Sequence, residues 1–221
     1  MIAENLARLR AEIPPGVTLV AVSKTHPPAA IREAYAAGQR DFGENYAQEW
    51  REKADALADL PDLVWHFVGG LQTNKVRLLA GRVAFVHTLD REELARELSK
   101  RWTAKGAVVR AFLEVNVAGE ASKSGCAPEE APPLAEAVRR LPGIDLVGLM
   151  CIPPASDDPR PHFRALRALR DRLGLRALSM GMSGDWRAAV EEGATAVRIG
   201  TAIFGERGGR PPDRGGSVTP P

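Results

Sequence analysis

Lys24 stands directly behind VTLVAV, Val17 to Val22, a nearly unbroken apolar run that is followed by Ser23. Such a run, rich in β-branched residues, reads as a strand buried on both faces of a parallel sheet. A lysine at the exit of that strand has its stem in the core and its amine at the rim, where low dielectric and cationic neighbours lower its pKa. An amine of that kind condenses with an aldehyde. Position alone favours a lysine that merely snorkels out of a strand end, so the reading depends on what else the chain brings to the same place.

Two late segments supply an anion site. SMGMSGDW puts Met182, the Ser183 hydroxyl and a glycine just ahead of a helix, and RIGTAIFG repeats the arrangement with Gly200 and Thr201. Main-chain N–H groups at the helix start that follows SMGMSG face an anion. Each segment alone is also a common capping sequence. Arg198 lies two residues before Gly200 in an otherwise apolar stretch. A buried guanidinium needs a partner. An ion pair with Glu114 or Asp41 is one reading, and a heterocycle ring nitrogen is the other.

The elements that must position these residues follow one period. MIAENLARLRAEI is a polar amphipathic helix ending near Pro14 and Pro15. After it, apolar runs alternate with helical patterns: VTLVAV and AAIREAYAAG, RDFGENY and AQEWREKADALADL, LVWHFVGG and QTNKVRLLAG, VAFVHTL and DREELARELSKRW. The pattern continues through AVVRAFLEVNV and PEEAPPLAEAVRRL, IDLVGLMCI and PRPHFRALRALRDRL, RALSMGM and GDWRAAVEEG, and ends on TAVRIGTAIFG as the last strand. Thr88 or Asp90 is placed to cap the fourth of these helices, and Pro132 with Pro133 interrupts a later one near its start. Eight strands alternating with helices predict a parallel sheet with right-handed crossovers, closed as a (β/α)8 TIM barrel with an extra N-terminal helix. A doubly wound open sheet would need a glycine-rich phosphate turn after an early strand, and no GxGxxG stands there. The single domain is expected over residues 1–207, with a flexible Gly/Pro-rich tail at 208–221.

In such a barrel the site forms where the strands end. Lys24 follows the first strand, Asn45 the second, His66 with the Gly69, Gly70 pair the third, Asn116 the fifth, Ser183 the seventh, and Gly200 with Thr201 the eighth. They are expected to converge on one mouth. Lysine amine, phosphate cup and arginine together describe a site for pyridoxal 5'-phosphate (PLP), with Arg198 donating to the pyridine nitrogen. An arginine keeps its proton, so the nitrogen it contacts stays unprotonated and is a poor electron sink.

Composition narrows the rest. The 221 residues carry a formal charge of +2, with 44% hydrophobic and 26% charged residues interspersed along the chain. That is a solvated globular surface and not a nucleic-acid stripe. No apolar run approaches membrane-spanning length, which predicts a cytoplasmic protein without a membrane partner. Cys126 and Cys151 form no disulfide framework and no paired Cys or His spacing suggests a metal site, so both read as small buried or half-exposed residues.

The segments SKTHPPAAIREAYAAGQRDFGENYAQEW, WHFVGGLQTNK, VNV to SKSG, GLM, LSMGMSGDW and VRIGTAIFG resemble, in order and over nearly the whole chain, the pyridoxal phosphate homeostasis proteins. These look like the N-terminal barrel of alanine racemase standing alone. The resemblance implies that Lys24 carries the cofactor imine and that Arg198 faces the pyridine nitrogen. It implies phosphate contacts at Ser183, Gly200 and Thr201, with Asn45, His66 and Met182 lining the pocket. His26 stands where the family more often has a lysine or another polar residue. Lys123 fits either a solvated loop or a reach toward the ring hydroxyl.

Alanine racemase works with a lysine and a tyrosine on opposite faces, the tyrosine coming from a second, β-rich domain that is not expected here. Of the two tyrosines here, Tyr35 reads as packed and Tyr46, beside Asn45, has a route to the mouth. The expected function is a carrier, not an enzyme, that holds PLP as a lysine imine, buffers it and supplies it to apoenzymes as a monomer. A low-activity amino-acid racemase is the alternative. A Schiff-base aldolase gives Arg198 no role.

Overall fold

The eight apolar runs form β1 (Thr18–Val22), β2 (Asp41–Glu44), β3 (Val64–Phe67), β4 (Phe85–Leu89), β5 (Val109–Glu114), β6 (Ile144–Met150), β7 (Ala177–Ser179) and β8 (Ala196–Ile199). They are seen in a computed structural model that describes residues 1–120, 123–155 and 158–205. All neighbours pair in parallel in chain order, and β1 closes the ring on β8, with Val20 opposite Arg198 and Ala21 opposite Ile199. The expected barrel is therefore present. Its closure brings the two ends of the chain's chemistry together, since Lys24 and Arg198 leave from adjacent strands.

Helices fill the intervals: α1 (Ile2–Glu12), α2 (Pro28–Ala36), α3 (Ala47–Ala56), α4 (Val76–Leu79), α5 (Glu92–Thr103), α6 (Ala131–Arg139), α7 (Arg160–Arg172), α8 (Trp186–Glu191) and α9 (Thr201–Phe204). The extra helix α1 buries Leu6 and Leu9 and packs on α2 and α9. Its Asn5 amide donates to the Ile203 carbonyl at 3.0 Å, so α1 backs the short helix whose start faces the barrel mouth. The main core lies between strands and helices and buries Phe42, Trp50, Trp102 and Phe163 completely. Each such side chain contributes about 1.5–3 kcal/mol relative to exposure. A second, smaller cluster of Phe112, Val147 and Met150, joined by Phe85, fills part of the ring's interior.

Four local expectations are corrected. The last apolar stretch is not strand throughout: β8 stops at Ile199 and TAIF winds into α9. Pro132 and Pro133 sit in the first turn of α6, where a missing N–H costs nothing, and do not interrupt it. Neither Thr88 nor Asp90 caps α5, which begins after Arg91. Thr88 instead donates to the Gly69 carbonyl at 2.7 Å. The segment after β3 opens as a 3-10 turn, Thr73–Lys75, before α4. The expected tail, 208–221, lies outside the described residues. Cys126 and Cys151 are both buried and free. Among the described residues no helix is long and apolar enough to cross a membrane.

Candidate functional site

A cavity of about 280 Å³ opens where the strands end. Lys24 and His26 enter it from the exit of β1 and Asn45 from the exit of β2. Met182 and Ser183 come from the turn after β7, and Arg198, Gly200 and Thr201 from β8 and the start of α9. Seven of the eight residues expected at the site thus share one wall-to-wall space. Val22, Val68 and Ile152 supply apolar lining that sequence reasoning did not single out. The ring of His26 stacks on Phe204 at 5.1 Å.

The backbone around Lys24 is held from behind. Ser23 is fully buried, and its hydroxyl donates to Glu44 Oε1 at 2.7 Å. Lys53, on α3 and also buried, donates to the Ser23 carbonyl, to Glu44 Oε1 and to Glu49 Oε1, each at 2.7 Å. All three ammonium protons are therefore placed. Burial pushes the Glu44 carboxyl above its ordinary range, and the Lys53 charge pulls it back. Thr25 has φ 66°, a left-handed conformation that a β-branched residue avoids at a cost of about 1–3 kcal/mol. Its N–H donates to Glu49, which holds the turn against that strain. Lys24 thus leaves a fixed, strained turn between two anchored neighbours.

On the other side, Arg198 is 5% exposed. Its Nη1 donates to the Ser179 carbonyl and the Ser179 hydroxyl, both at 2.7 Å, and Nη2 donates to the Cys151 carbonyl at 3.0 Å. All three acceptors are neutral. Neither ion-pair partner considered from sequence bonds it: Asp41 bonds His66, and Glu114 acts only at a distance. Burial raises the Glu114 carboxyl to about 7, Asp90 adds to the rise and the Arg198 charge opposes it. A guanidinium has five N–H donors, and the bonds to Ser179 and Cys151 use three of them.

The rest of the mouth is built by close backbone approach. A Cβ on Gly69 would sit 2.3 Å from the Asn45 carbonyl, so only glycine lets the β3 exit press against Asn45. The Asn45 Oδ1 atom is buried without a hydrogen-bond partner. In the first turn of α9 the Ile203 and Phe204 N–H groups both donate to the Gly200 carbonyl at 2.9 Å, which leaves those of Thr201 and Ala202 without an intrahelical acceptor, and Gly200 and Thr201 open that turn onto the cavity.

Residues 1–208 match the family model for the alanine racemase N-terminal domain. A pyridoxal phosphate homeostasis protein of Pseudomonas aeruginosa is 52% identical over 93% of this chain and 96% of its own. One from Aquifex aeolicus is 50% identical over 86% of each. The chain belongs to the pyridoxal phosphate homeostasis protein family. The solved structure of PipY from Synechococcus elongatus PCC7942 with PLP bound shares 41% identity at a TM-score of 0.87, covering 93% of this chain and 100% of that one. Alanine racemase of Clostridium difficile is 13% identical at a TM-score of 0.75, over 96% of this chain and 57% of its own, a likeness of fold alone.

For a member of this homeostasis family, one expected pocket residue is misplaced. His66 does not line the cavity. It is buried within the ring, with Nε2 2.9 Å from Asp41 Oδ1 and Nδ1 2.9 Å from His87 Nε2. Side chains along a strand alternate in and out, and His66 points inward one layer below the mouth, which its sequence position at a strand exit did not reveal. Tyr46 is 57% exposed and faces a separate surface cavity with Gln48 and Lys75, and Tyr35 bonds Asp62 on the outer surface. Lys123 pairs with Glu120 at 2.6 Å and lines a neighbouring cavity. Asn116 closes its own loop through Glu120.

Proposed function

We propose that this protein holds pyridoxal 5'-phosphate covalently at Lys24, buffers it, and supplies it to apoenzymes. One observation carries the reading: a primary amine, a guanidinium and the start of α9 converge on one cavity of about 280 Å³. That size lies at the small end of small-molecule pockets. The donor set fits the group. Lys24 is the one lysine lining this cavity among the described residues. The Ser183 and Thr201 hydroxyls with the Thr201 and Ala202 N–H groups suit a phosphate, and Arg198 suits an unprotonated ring nitrogen. The buried Asn45 Oδ1 is an acceptor that still wants a donor.

When bound, the cofactor supplies an aldehyde to which a primary amine adds. The chain's own residues then determine how far chemistry goes. Arg198 does not surrender its proton and so keeps the ring nitrogen from becoming a strong electron sink. Among the described residues no tyrosine lines the cavity, so the tyrosine of a lysine–tyrosine racemase pair has no counterpart there. The names of the relatives support a homeostatic role over an enzymatic one. On this reading the protein is a cytoplasmic monomer whose partners are PLP and apoenzymes.

The test is spectroscopic. Purified protein mixed with PLP is expected to show a visible imine band that borohydride abolishes, with the reduced adduct mapping to Lys24. Lys24→Ala is expected to lose both the band and the adduct. An unchanged borohydride-trapped adduct in that variant overturns the proposal. Deuterium exchange at the α carbon of L- and D-alanine well above that of free PLP would establish the racemase reading instead.

A further inference from the structure

Below the cavity, a line of polar side chains crosses the barrel. Arg198 Nη1 donates to Ser179 Oγ at 2.7 Å, and that oxygen lies 2.7 Å from His87 Nδ1. His87 Nε2 is 2.9 Å from His66 Nδ1, and His66 Nε2 is 2.9 Å from Asp41 Oδ1. The five groups come from β8, β7, β4, β3 and β2 in turn. Asp41 begins β2 at the opposite end of the barrel from the mouth, where it is 31% exposed and lines a separate surface cavity with Thr18 and Gln39. Phenyl rings sheath the two imidazoles, Phe85 stacking on His66 and Phe112 on His87, both at 4.4 Å.

The two ends constrain every proton between them. A guanidinium only donates and a carboxylate only accepts. With both rings neutral, the Ser179 hydroxyl accepts from Arg198 and gives its proton to a bare His87 Nδ1. His87 Nε2–H then points to a bare His66 Nδ1, and His66 Nε2–H to Asp41. Burial favours the neutral rings, pushing His66 below its ordinary value and His87 well below. The charges facing them are Asp41 and Arg110 at His66 and Arg198 at His87.

We propose that Ser179, His87, His66 and Asp41 are positioning residues for Arg198, forming a one-directional hydrogen-bond chain. The chain commits the Ser179 proton inward, fixes both Nη1 protons on Ser179, and so aims the remaining guanidinium donors at the ring nitrogen of a bound ligand. The ligand's identity rests on the function proposed above. The proton pattern does not, and can be read without any ligand.

Imidazole 15N NMR of the full chain tests the pattern directly. Both histidines are expected as the Nε2–H tautomer at neutral pH and above. An imidazolium at His66, or an Nδ1–H tautomer at His87, overturns the chain. With PLP added, His87→Phe keeps a ring against Phe112 but cuts the line, whereas His87→Gln retains a donor and an acceptor. PLP is expected to leave His87→Phe about ten-fold faster, with a shifted 15N signal from its labelled ring nitrogen and recovery toward wild type in His87→Gln. Ser179→Ala, which removes one oxygen beside the mouth, is expected to move both readouts in the same direction. If wild type forms the Lys24 adduct and both His87→Phe and Ser179→Ala match it in release and ring-nitrogen shift, the positioning role falls. If wild type forms no adduct, the function proposed above fails, and the tautomers still decide the chain.

Discussion

Two buried cations flank the cavity, and they are held in opposite ways. Lys53 meets two carboxylates and a carbonyl, so its charge is answered inside hydrogen-bond distance. Arg198 meets two carbonyls and a hydroxyl, so its charge is solvated by dipoles and not cancelled. Burying a charge is expensive unless it is paired, and a protein that leaves one paired only with dipoles keeps an attractive field for something else. The difference separates roles that sequence alone would merge: Lys53 fixes the turn that carries Lys24, and Arg198 lines the cavity.

Removing the compensated cation should do the larger damage. Lys53→Met leaves Glu44 and Glu49 without their partner and is expected to cost about 3–5 kcal/mol of stability in denaturant titration. A loss below about 1 kcal/mol would mean that the carboxylates find other partners and the contrast is wrong. Glu114 offers a second handle, because it is the acid whose ionisation would begin to compensate Arg198. Its folded value of about 7 lies above the ordinary 4.5. Folding therefore favours the protonated form. Stability from this group is fully present below about pH 4.5 and is lost as pH rises from there through about 7, a change of roughly 3 kcal/mol. Glu114→Gln should flatten the stability profile over that window, and an unaltered profile would remove Glu114 from the account. The smallest stability effect is expected at Arg198→Met, about 1–2 kcal/mol, because only neutral acceptors lose a donor. The same variant should weaken PLP retention by ten-fold or more in dialysis against a spectroscopic readout. Retention equal to wild type would place the ligand's ring elsewhere.

The parts legible in the sequence were those fixed by local pattern. Apolar runs alternating with helical periods gave the eight strands, because a parallel strand buried on both faces reads as a near-continuous apolar run. Lys24, Gly200 and Thr201 were legible because strand ends in a barrel define one mouth. Depth was not legible: His66 and Arg198 both sit on strands near their exits, but only Arg198 reaches the cavity. Lys53 was hidden for another reason. Glu49 and Lys53 stand four apart on a helix with many charges, which reads as an exposed pair, and only the packing of α3 over the exits of β1 and β2 turns it into a buried clamp. The α9 start was missed because TAIF is apolar and continues a strand pattern, with nothing local to mark the change at Gly200.

Cys151, whose carbonyl receives Arg198, lies one residue before cavity-lining Ile152. Burial pushes its thiol up to about 12. Thiolates are among the strongest nucleophiles in proteins, and at neutral pH only about one Cys151 in 10⁵ would carry that form. On the function proposed above, solvent exclusion would set the chemoselectivity between sulfur and nitrogen: the buried thiol would not compete with Lys24 for an aldehyde.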